Sequence, residues 1–271
     1  MKRIALVLSV ITAPLAAQWL DYPDARTPRT KDGKPNLTAL APRLNGKIDL
    51  SGVWQAQRTP ASELSRVLGT QFLNQQVDSN DLTKFGLDIF WGLRPDEEPI
   101  QPAAAAVLMQ RRTSDPPVTK CLPASVPAGE FVYEFKMIQT PQEIIALSGA
   151  GDPARQIYLD GRPLPKDPQP SWMGYSIGKW EGDILVVETT GVTEAAWLDF
   201  SGHPRSQSTR LVERYHRRDF GHMDLEVTVE DPKYYTRSVS FKEILNLLPD
   251  SDILEFVCAE NEKDRAHMAA R

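Results

Sequence analysis

The sequence has few of the residues from which most metal sites and nucleophilic active sites are built. Its 271 residues include only two cysteines and four histidines. The cysteines stand far apart and form no CxxC pair, so the spacing of a zinc site is absent. No P-loop, Gly-x-Ser-x-Gly, His-Glu-x-x-His or Rossmann fingerprint occurs. These absences predict a protein without a metal ion and without a bound cofactor.

An excess of basic residues is also missing. The formal net charge is −5 at pH 7, which argues against nucleic acid and anionic membrane surfaces as partners. Hydrophobic residues make up 41% of the chain and charged residues 25%. These proportions are ordinary for a globular protein, so a collagen-like or wholly disordered chain is excluded.

The first 17 residues have the pattern of a secretory signal peptide. Lys2 and Arg3 precede the apolar stretch 4–15, and the small residues Ala16 and Ala17 follow it. The stretch is too short to cross a bilayer comfortably, and no later segment is apolar for long enough. We expect an exported protein, periplasmic or extracellular, with no membrane insertion after cleavage. A retained membrane anchor is the alternative.

Cys121 and Cys258 are predicted to form a disulfide, because a lone pair of cysteines in an oxidising compartment usually does so. In the chain-entropy view, such a long closed loop is worth about 4–5 kcal/mol of stability. Two buried free thiols, or one reactive thiol, are the alternatives.

The proline and turn patterns divide the remaining chain into an arm and one domain. Residues 18–48 contain four prolines and mixed charges, which predicts an extended N-terminal arm. Residues 49–271 are assigned to a single domain. Within it, residues 60–117 carry helical patterns, such as the alanine run 103–106 followed by two arginines. This segment is predicted to be a helical insertion packed against a sheet.

From residue 131 onward the pattern predicts β-strands. Short apolar segments alternate with turn signals such as Asp160-Gly161 and Glu181-Gly182, and the last predicted strand covers residues 252–259. Many short, evenly spaced strands are typical of an antiparallel sandwich or barrel. Helices are too few for βαβ units, which argues against parallel strands. The predicted fold is mainly β, with an antiparallel sheet.

One hairpin can be predicted in detail. Residues 217–222 fit a three-residue loop in which Gly221 takes the left-handed conformation. That register sets Arg210 opposite Glu230 and Arg214 opposite Glu226, so that opposite charges face each other. The other face is predicted to lie in the core and carries Leu211, Tyr215, Met223, Leu225, Val227 and Val229.

Glu213 is the exception on the apolar face of this hairpin. A carboxylate among apolar neighbours is costly unless it is paired, and such groups often have raised pKa values at functional sites. One interpretation makes Glu213 a catalytic or ligand-anchoring group. The other makes it the buried partner of Arg210 or Arg214.

His203 is the histidine best placed for chemistry, because it lies in a loop before the hairpin. It would act as a general acid or base if Glu213 or Asp199 orients it. The alternative is a surface or hydrogen-bonding histidine.

Aromatic side chains with polar groups form a further candidate set. Trp172 and Tyr175, together with Tyr158 and Trp197, would line an apolar ligand cavity. Arg210 and Arg214 would be polar anchors beside Glu213. Plain core packing is the alternative for the aromatics.

Several short segments of the sequence resemble segments of known protein families. Gly52-Val53-Trp54 is similar to the Gly-x-Trp that opens the first strand of lipocalin-type barrels. A wider resemblance, to a large family of exported and uncharacterised bacterial proteins, rests on DLSGVW at 49–54, CLP at 121–123, IYLDGR at 157–162, WEGDILVVETTG at 180–191 and VEDP at 229–232. Ile184 stands where that family usually has threonine. The resemblance implies secretion and a lipocalin-like β-barrel, and it implies no catalytic residues.

Three functions remain open. The leading hypothesis is an exported barrel that binds a small, partly apolar molecule in an aromatic-lined cavity. The alternative is a cofactor-free hydrolase, lyase or isomerase in which His203 and Glu213 perform acid–base chemistry at the barrel mouth. The third is an envelope-associated interaction module whose proline-rich arm docks a partner. A barrel filled by its own side chains would favour this third function.

Overall fold

The computed structural model describes residues 23–69 and 82–258. The predicted signal peptide, 1–17, lies outside the described residues. The strands are β1 (Arg43–Leu44), β2 (Lys47–Ile48), β3 (Gly52–Ala56), β4 (Phe135–Gln139), β5 (Glu143–Ser148), β6 (Arg155–Tyr158), β7 (Tyr175–Glu181), β8 (Ile184–Thr190), β9 (Arg210–Arg217), β10 (His222–Glu230) and β11 (Val239–Leu247). The helices are α1 (Ala61–Leu68), α2 (Lys84–Leu87), α3 (Pro102–Arg111), a 3-10 helix (Pro117–Lys120) and α4 (Ala128–Val132).

Nine of the strands close into a barrel in the order β10-β11-β3-β4-β5-β6-β7-β8-β9, while β1 and β2 form a small separate sheet. The mainly β fold is confirmed. The expectation of a wholly antiparallel sheet is wrong, because β6 and β7 run parallel. Parallel neighbours need a long crossover, which is usually a helix. Here the proline-rich, non-helical linker 159–174 returns the chain to the start of β7.

The β9–β10 hairpin has the predicted register. Arg210 faces Glu230, and Arg214 faces Glu226. The predicted conformation of Gly221 is wrong, because its φ angle is not positive. Glycine is required there by close packing instead: a Cβ atom at this position would stand 2.5 Å from the Cβ of Leu37. The chain around Leu37 therefore passes directly over the hairpin turn.

The barrel interior is occupied by the chain's own side chains. Alternation along each strand turns every second residue inward. The inward residues pack into one core and include Trp54, Met137, Ile144, Ile157, Leu185, Val187, Leu211, Tyr215, Met223, Leu225, Val227 and Leu245. All six residues predicted for the core face of the hairpin are fully buried.

The helices and both ends of the described chain pack around this barrel. Helices α1, α2 and α3 lie within the predicted insertion, 60–117, of which residues 70–81 fall outside the described range. Before the first strands, the carbonyls of Leu37 and Ala39 accept hydrogen bonds from the hairpin turn at 2.7 and 2.8 Å. None of the helices in 23–69 and 82–258 is long and apolar enough to cross a membrane.

The disulfide between Cys121 and Cys258 is confirmed, with the two Cα atoms 5.6 Å apart. It ties the loop after the 3-10 helix to the C-terminal segment. The strand predicted for 252–259 is wrong, since residues 251–257 have no regular structure. Side-chain contacts hold this segment instead, such as the 2.8 Å ion pair between Lys136 and Asp252.

Candidate functional site

Glu213 points into the barrel, and its side chain is fully buried. Its cationic partner is Arg155 on β6. The expectation of Arg210 or Arg214 as the partner is wrong. Both lie an odd number of positions from Glu213 on the same strand, and residues at odd spacing point to opposite faces. Both arginines lie on the outer wall. The partners there are Glu188 and Glu230 for Arg210, and Glu181 for Arg214.

Arg155 uses all five of its N–H groups inside the barrel. Its Nη1 donates to Glu130 Oε1 at 2.6 Å and to Glu213 Oε1 at 3.0 Å. Its Nη2 donates to Glu213 Oε2 and, at 2.9 Å, to Thr189 Oγ1. Its Nε donates to Ser176 Oγ at 3.3 Å. The guanidinium therefore holds Glu213 bidentately and Glu130 through a single oxygen.

Tyr215 shows where a proton is held in this cluster. Its hydroxyl lies 3.0 Å from Glu130 Oε2 and 2.9 Å from Glu213 Oε1, but a phenol has only one hydrogen to donate. With both carboxyl groups ionised, the single O–H would be shared between two carboxylates, whereas one protonated carboxyl group gives each contact a hydrogen of its own. Because Glu213 has the bidentate contact with Arg155, we assign the proton to Glu130, which then donates to Tyr215. Tyr215 in turn donates to Glu213.

The electrostatics of the cluster agree with this assignment. Burial raises the pKa of Glu130, and the negative charge of Glu213 raises it further, while Arg155 acts in the opposite direction. With Glu130 neutral, the charges of Arg155 and Glu213 cancel. A buried ion pair of this kind is tolerated when its remaining hydrogen-bonding positions are also satisfied.

A small cleft at one end of the barrel reaches this cluster. Its polar lining consists of Ser125, Glu130, Ser148, Asp152 and Arg155. Its apolar lining includes Val126, Phe135, Ala146, Pro153 and Met173. It has room for about one water molecule. Burial also raises the pKa of the Asp152 carboxyl. The cleft is thus a small, mostly apolar recess with two carboxyl groups of raised pKa.

His203 belongs to a separate cluster. Its Nδ1 lies 2.5 Å from Asp199 and 3.8 Å from Asp88, and its Nε2 lies 3.5 Å from Glu98. Burial lowers the pKa of His203, because it disfavours the charged imidazolium. The carboxylates of Asp199, Glu98 and Asp88 have the larger effect, so the pKa is raised to about 10. The histidine is therefore charged at neutral pH and fully buried, which is unsuitable for a general base.

Asp88, Asp199 and His203 are close enough together to be considered as metal ligands. The oxygens of Asp199, however, already accept hydrogen bonds from His203 Nδ1 and from the backbone N–H groups of Ile89, Gly202 and His203. These bonds fit a protonated histidine held between carboxylates. Within residues 23–69 and 82–258, His203 and Glu213 share no hydrogen-bond or ion-pair partner, so the structure does not bring the two candidate catalytic groups together.

The four candidate aromatic residues do not meet in one cavity. Tyr158 and Tyr175 lie together on the outer wall, with ring centroids 5.3 Å apart, and the Arg162 guanidinium stands 3.8 Å from the Tyr158 ring. Trp172 packs partly buried against the core. Trp197 stacks with Arg111 and borders a second small cleft.

Sequence reasoning missed Arg155, Glu130 and Tyr215 as members of the site. A signal existed for Arg155, because it alternates with Ile157 in a predicted strand and therefore shares the inward face. Tyr215 was assigned to the core face two residues from Glu213, without a polar role. Glu130 precedes the predicted strands, and no local pattern points it at the barrel.

Comparison with protein families, with curated proteins and with solved structures found no match to this chain.

Proposed function

We propose that this chain is an exported β-barrel protein that binds a small, partly apolar molecule at the cleft beside Glu130. The observation that carries the proposal is the position of Glu130. Its side chain is 10% exposed, whereas that of Glu213 is 0% exposed. A polar group presented at the bottom of an apolar recess is the usual composition of a small-molecule site.

This proposal differs from the sequence hypothesis in where the ligand lies. The barrel centre is occupied by the core, and the candidate aromatics Tyr158 and Tyr175 face outward. The ligand therefore enters at the barrel end and reaches only the outer edge of the ionic cluster. Arg155 and Glu213 support the site from beneath.

Export is supported by two features. The signal pattern at 1–17 is typical of secreted proteins, and the Cys121–Cys258 disulfide is typical of oxidising compartments. A lipocalin-like ancestry is supported by the buried Trp54 on β3. The nine strands and the parallel β6–β7 pair depart from the eight-stranded up-and-down barrel of that family.

An interaction module is the second candidate, because the barrel interior is filled by its own side chains. The acid–base enzyme is not favoured, since His203 and Glu213 lie in separate clusters and His203 is a buried cation.

Native mass spectrometry of the protein purified from its own host tests the proposal. We expect a co-purifying small molecule bound to the wild type and lost from Ala146→Leu, which fills the cleft from the β5 wall. The matched control is Ile145→Leu on the outward-facing neighbour, which should keep the ligand. Melting temperatures check that both variants fold, because overpacking costs about 1–3 kcal/mol. Retention by a folded Ala146→Leu variant would overturn the proposal and favour the interaction module. The same conclusion would follow if no ligand co-purified with the wild type and no added small molecule bound in the cleft.

A further inference from the structure

Among the residues that the structure describes, the cleft beside Glu130 offers hydrogen-bond acceptors and no free cationic donor. Arg155 is the one arginine that residues 23–69 and 82–258 contribute to its lining, and all five of its N–H groups are already used by Glu130, Glu213, Thr189 and Ser176. An anionic ligand would therefore meet carboxyl groups without gaining a cationic partner. The chemistry of the cleft excludes an anion and suits a donor.

The size of the cleft narrows the choice of donor. Room for about one water molecule is also room for a primary ammonium group, which is of similar size. Two carboxyl groups border this space, and Asp152 Oδ2 lies 3.0 Å from the position that a Cβ on Gly129 would take. Val126, Phe135 and Met173 line the same cleft, which is open on one side, so a short apolar body attached to the ammonium would lie against them and extend out of the opening.

Glu130 also holds a proton that a cation can replace. Arg155 from β6 and Tyr215 from β9 contact Glu130, and the charge of Glu213 on β9 acts on it. Asp152 from the β5–β6 loop borders the same cleft. With Glu130 protonated, the charges of Arg155 and Glu213 cancel. If Glu130 loses its proton without compensation, the buried cluster gains a net negative charge, which is costly in the interior. A bound ammonium supplies the missing positive charge.

We propose that the ligand of this site is a primary organic ammonium that takes the place of the Glu130 proton. The inference rests on the proposed function and names its ligand class. On binding, the protonated Glu130 carboxyl releases its proton to solvent, and the ammonium nitrogen donates to the carboxylate that remains. One proton leaves as one positive charge enters, so the charge of the site is conserved.

This exchange makes binding depend on pH. An aliphatic ammonium has a pKa of about 10 and stays charged from pH 5 to pH 8. Below the pKa of Glu130, the apparent association constant should rise up to tenfold per pH unit, because one proton is released. Above that pKa the affinity should become constant. A neutral ligand of the same shape would show no such rise.

The test compares n-butylammonium with n-butanol and butyrate by NMR and calorimetric titration of the full mature chain from pH 5 to pH 8. We expect n-butylammonium to shift the amide signals of Gly129, Ser148 and Asp152, and to bind at least tenfold more tightly than either other probe. Glu130→Gln should lose the pH dependence and at least tenfold in affinity. The matched control, Glu226→Gln on the outer wall, should behave as the wild type.

The outcomes separate this inference from the proposed function. If n-butanol or butyrate binds in the cleft as tightly as n-butylammonium, the ligand class is wrong while the site stands. Tight ammonium binding to Glu130→Gln would also refute the proton exchange. If no probe binds but a molecule co-purifies and is lost from Ala146→Leu, only the ligand class fails. If no probe binds and nothing co-purifies, the proposed function fails as well.

Discussion

Glu130→Gln and Glu213→Gln should have very different effects on stability, although both remove a buried carboxyl group next to Arg155. A glutamine at 130 reproduces the protonated carboxyl: its oxygen accepts from Arg155, and its amide donates to Tyr215. A glutamine at 213 removes the bidentate carboxylate and leaves Arg155 with only its single contact to Glu130, which can supply a counter-charge only by giving up its own proton.

The magnitudes follow from burial and partner number. Arg155 is 2% exposed and Glu213 is 0% exposed, so water cannot replace the lost partner. Breaking such a pair costs about 3–5 kcal/mol, which is a large part of the roughly 5–15 kcal/mol by which a domain is stable. Glu130→Gln keeps the hydrogen bonds and should change the free energy of unfolding by less than about 1 kcal/mol at pH 7.

Urea denaturation at pH 7, monitored by fluorescence and circular dichroism with the disulfide intact, measures both values. Glu226→Gln provides the surface reference. The two variants should also differ in pH dependence. Because the pKa of Glu130 is raised by folding, its proton favours the native state at low pH, and this stabilisation is lost as pH rises through the folded pKa. Glu130→Gln should lack that loss.

The reasoning would be refuted if Glu130→Gln were as destabilising as Glu213→Gln, since Glu130 would then be an ionised partner of Arg155. A Glu213→Gln variant as stable as the wild type would show that the bidentate pair contributes nothing net.

Three further predictions concern the rest of the molecule. The imidazole of His203 should not titrate by NMR between pH 5 and pH 8. Its contribution to stability should be complete below about pH 6.5 and should be lost as pH rises towards its folded pKa of about 10. An ordinary titration near pH 6.5 would contradict the effect of the surrounding carboxylates on His203. Replacing Cys121 and Cys258 by serine should lower the free energy of unfolding by about 4–5 kcal/mol, measured by denaturant titration; a change below about 1 kcal/mol would contradict the loop-closure argument. Gly221→Ala should push Leu37 away and lower the free energy of unfolding by about 1–3 kcal/mol. The readout is faster proteolysis within residues 23–48. Unchanged cleavage would show that the contact with Gly221 does not hold this segment in place.

Local sequence patterns were enough to predict much of the fold. The β9–β10 register could be predicted because facing charges and the alternation of apolar residues both depend on near neighbours in the sequence. The burial of Glu213 followed from the same alternation. The disulfide could be predicted because only one pairing of two cysteines exists.

Other features depended on closure of the barrel. Arg155 and Glu213 are 58 residues apart, and nothing near either residue indicates that β6 and β9 face each other across the interior. The parallel β6–β7 pair escaped prediction because its crossover contains no helix. The sequence pattern assigned Gly221 a left-handed turn conformation, whereas glycine is needed there because the chain around Leu37 crosses the turn.

The amino-acid sequence by itself determined which faces of the strands are apolar, which residues pair in the hairpin and which cysteines join. Only the tertiary structure decided that Arg155, Glu130 and Tyr215 surround Glu213, and that the candidate aromatics lie apart. The physical reason is that strand alternation specifies inside or outside for each residue. Which inward side chains meet depends on strand order, and that order is set by packing of the whole barrel.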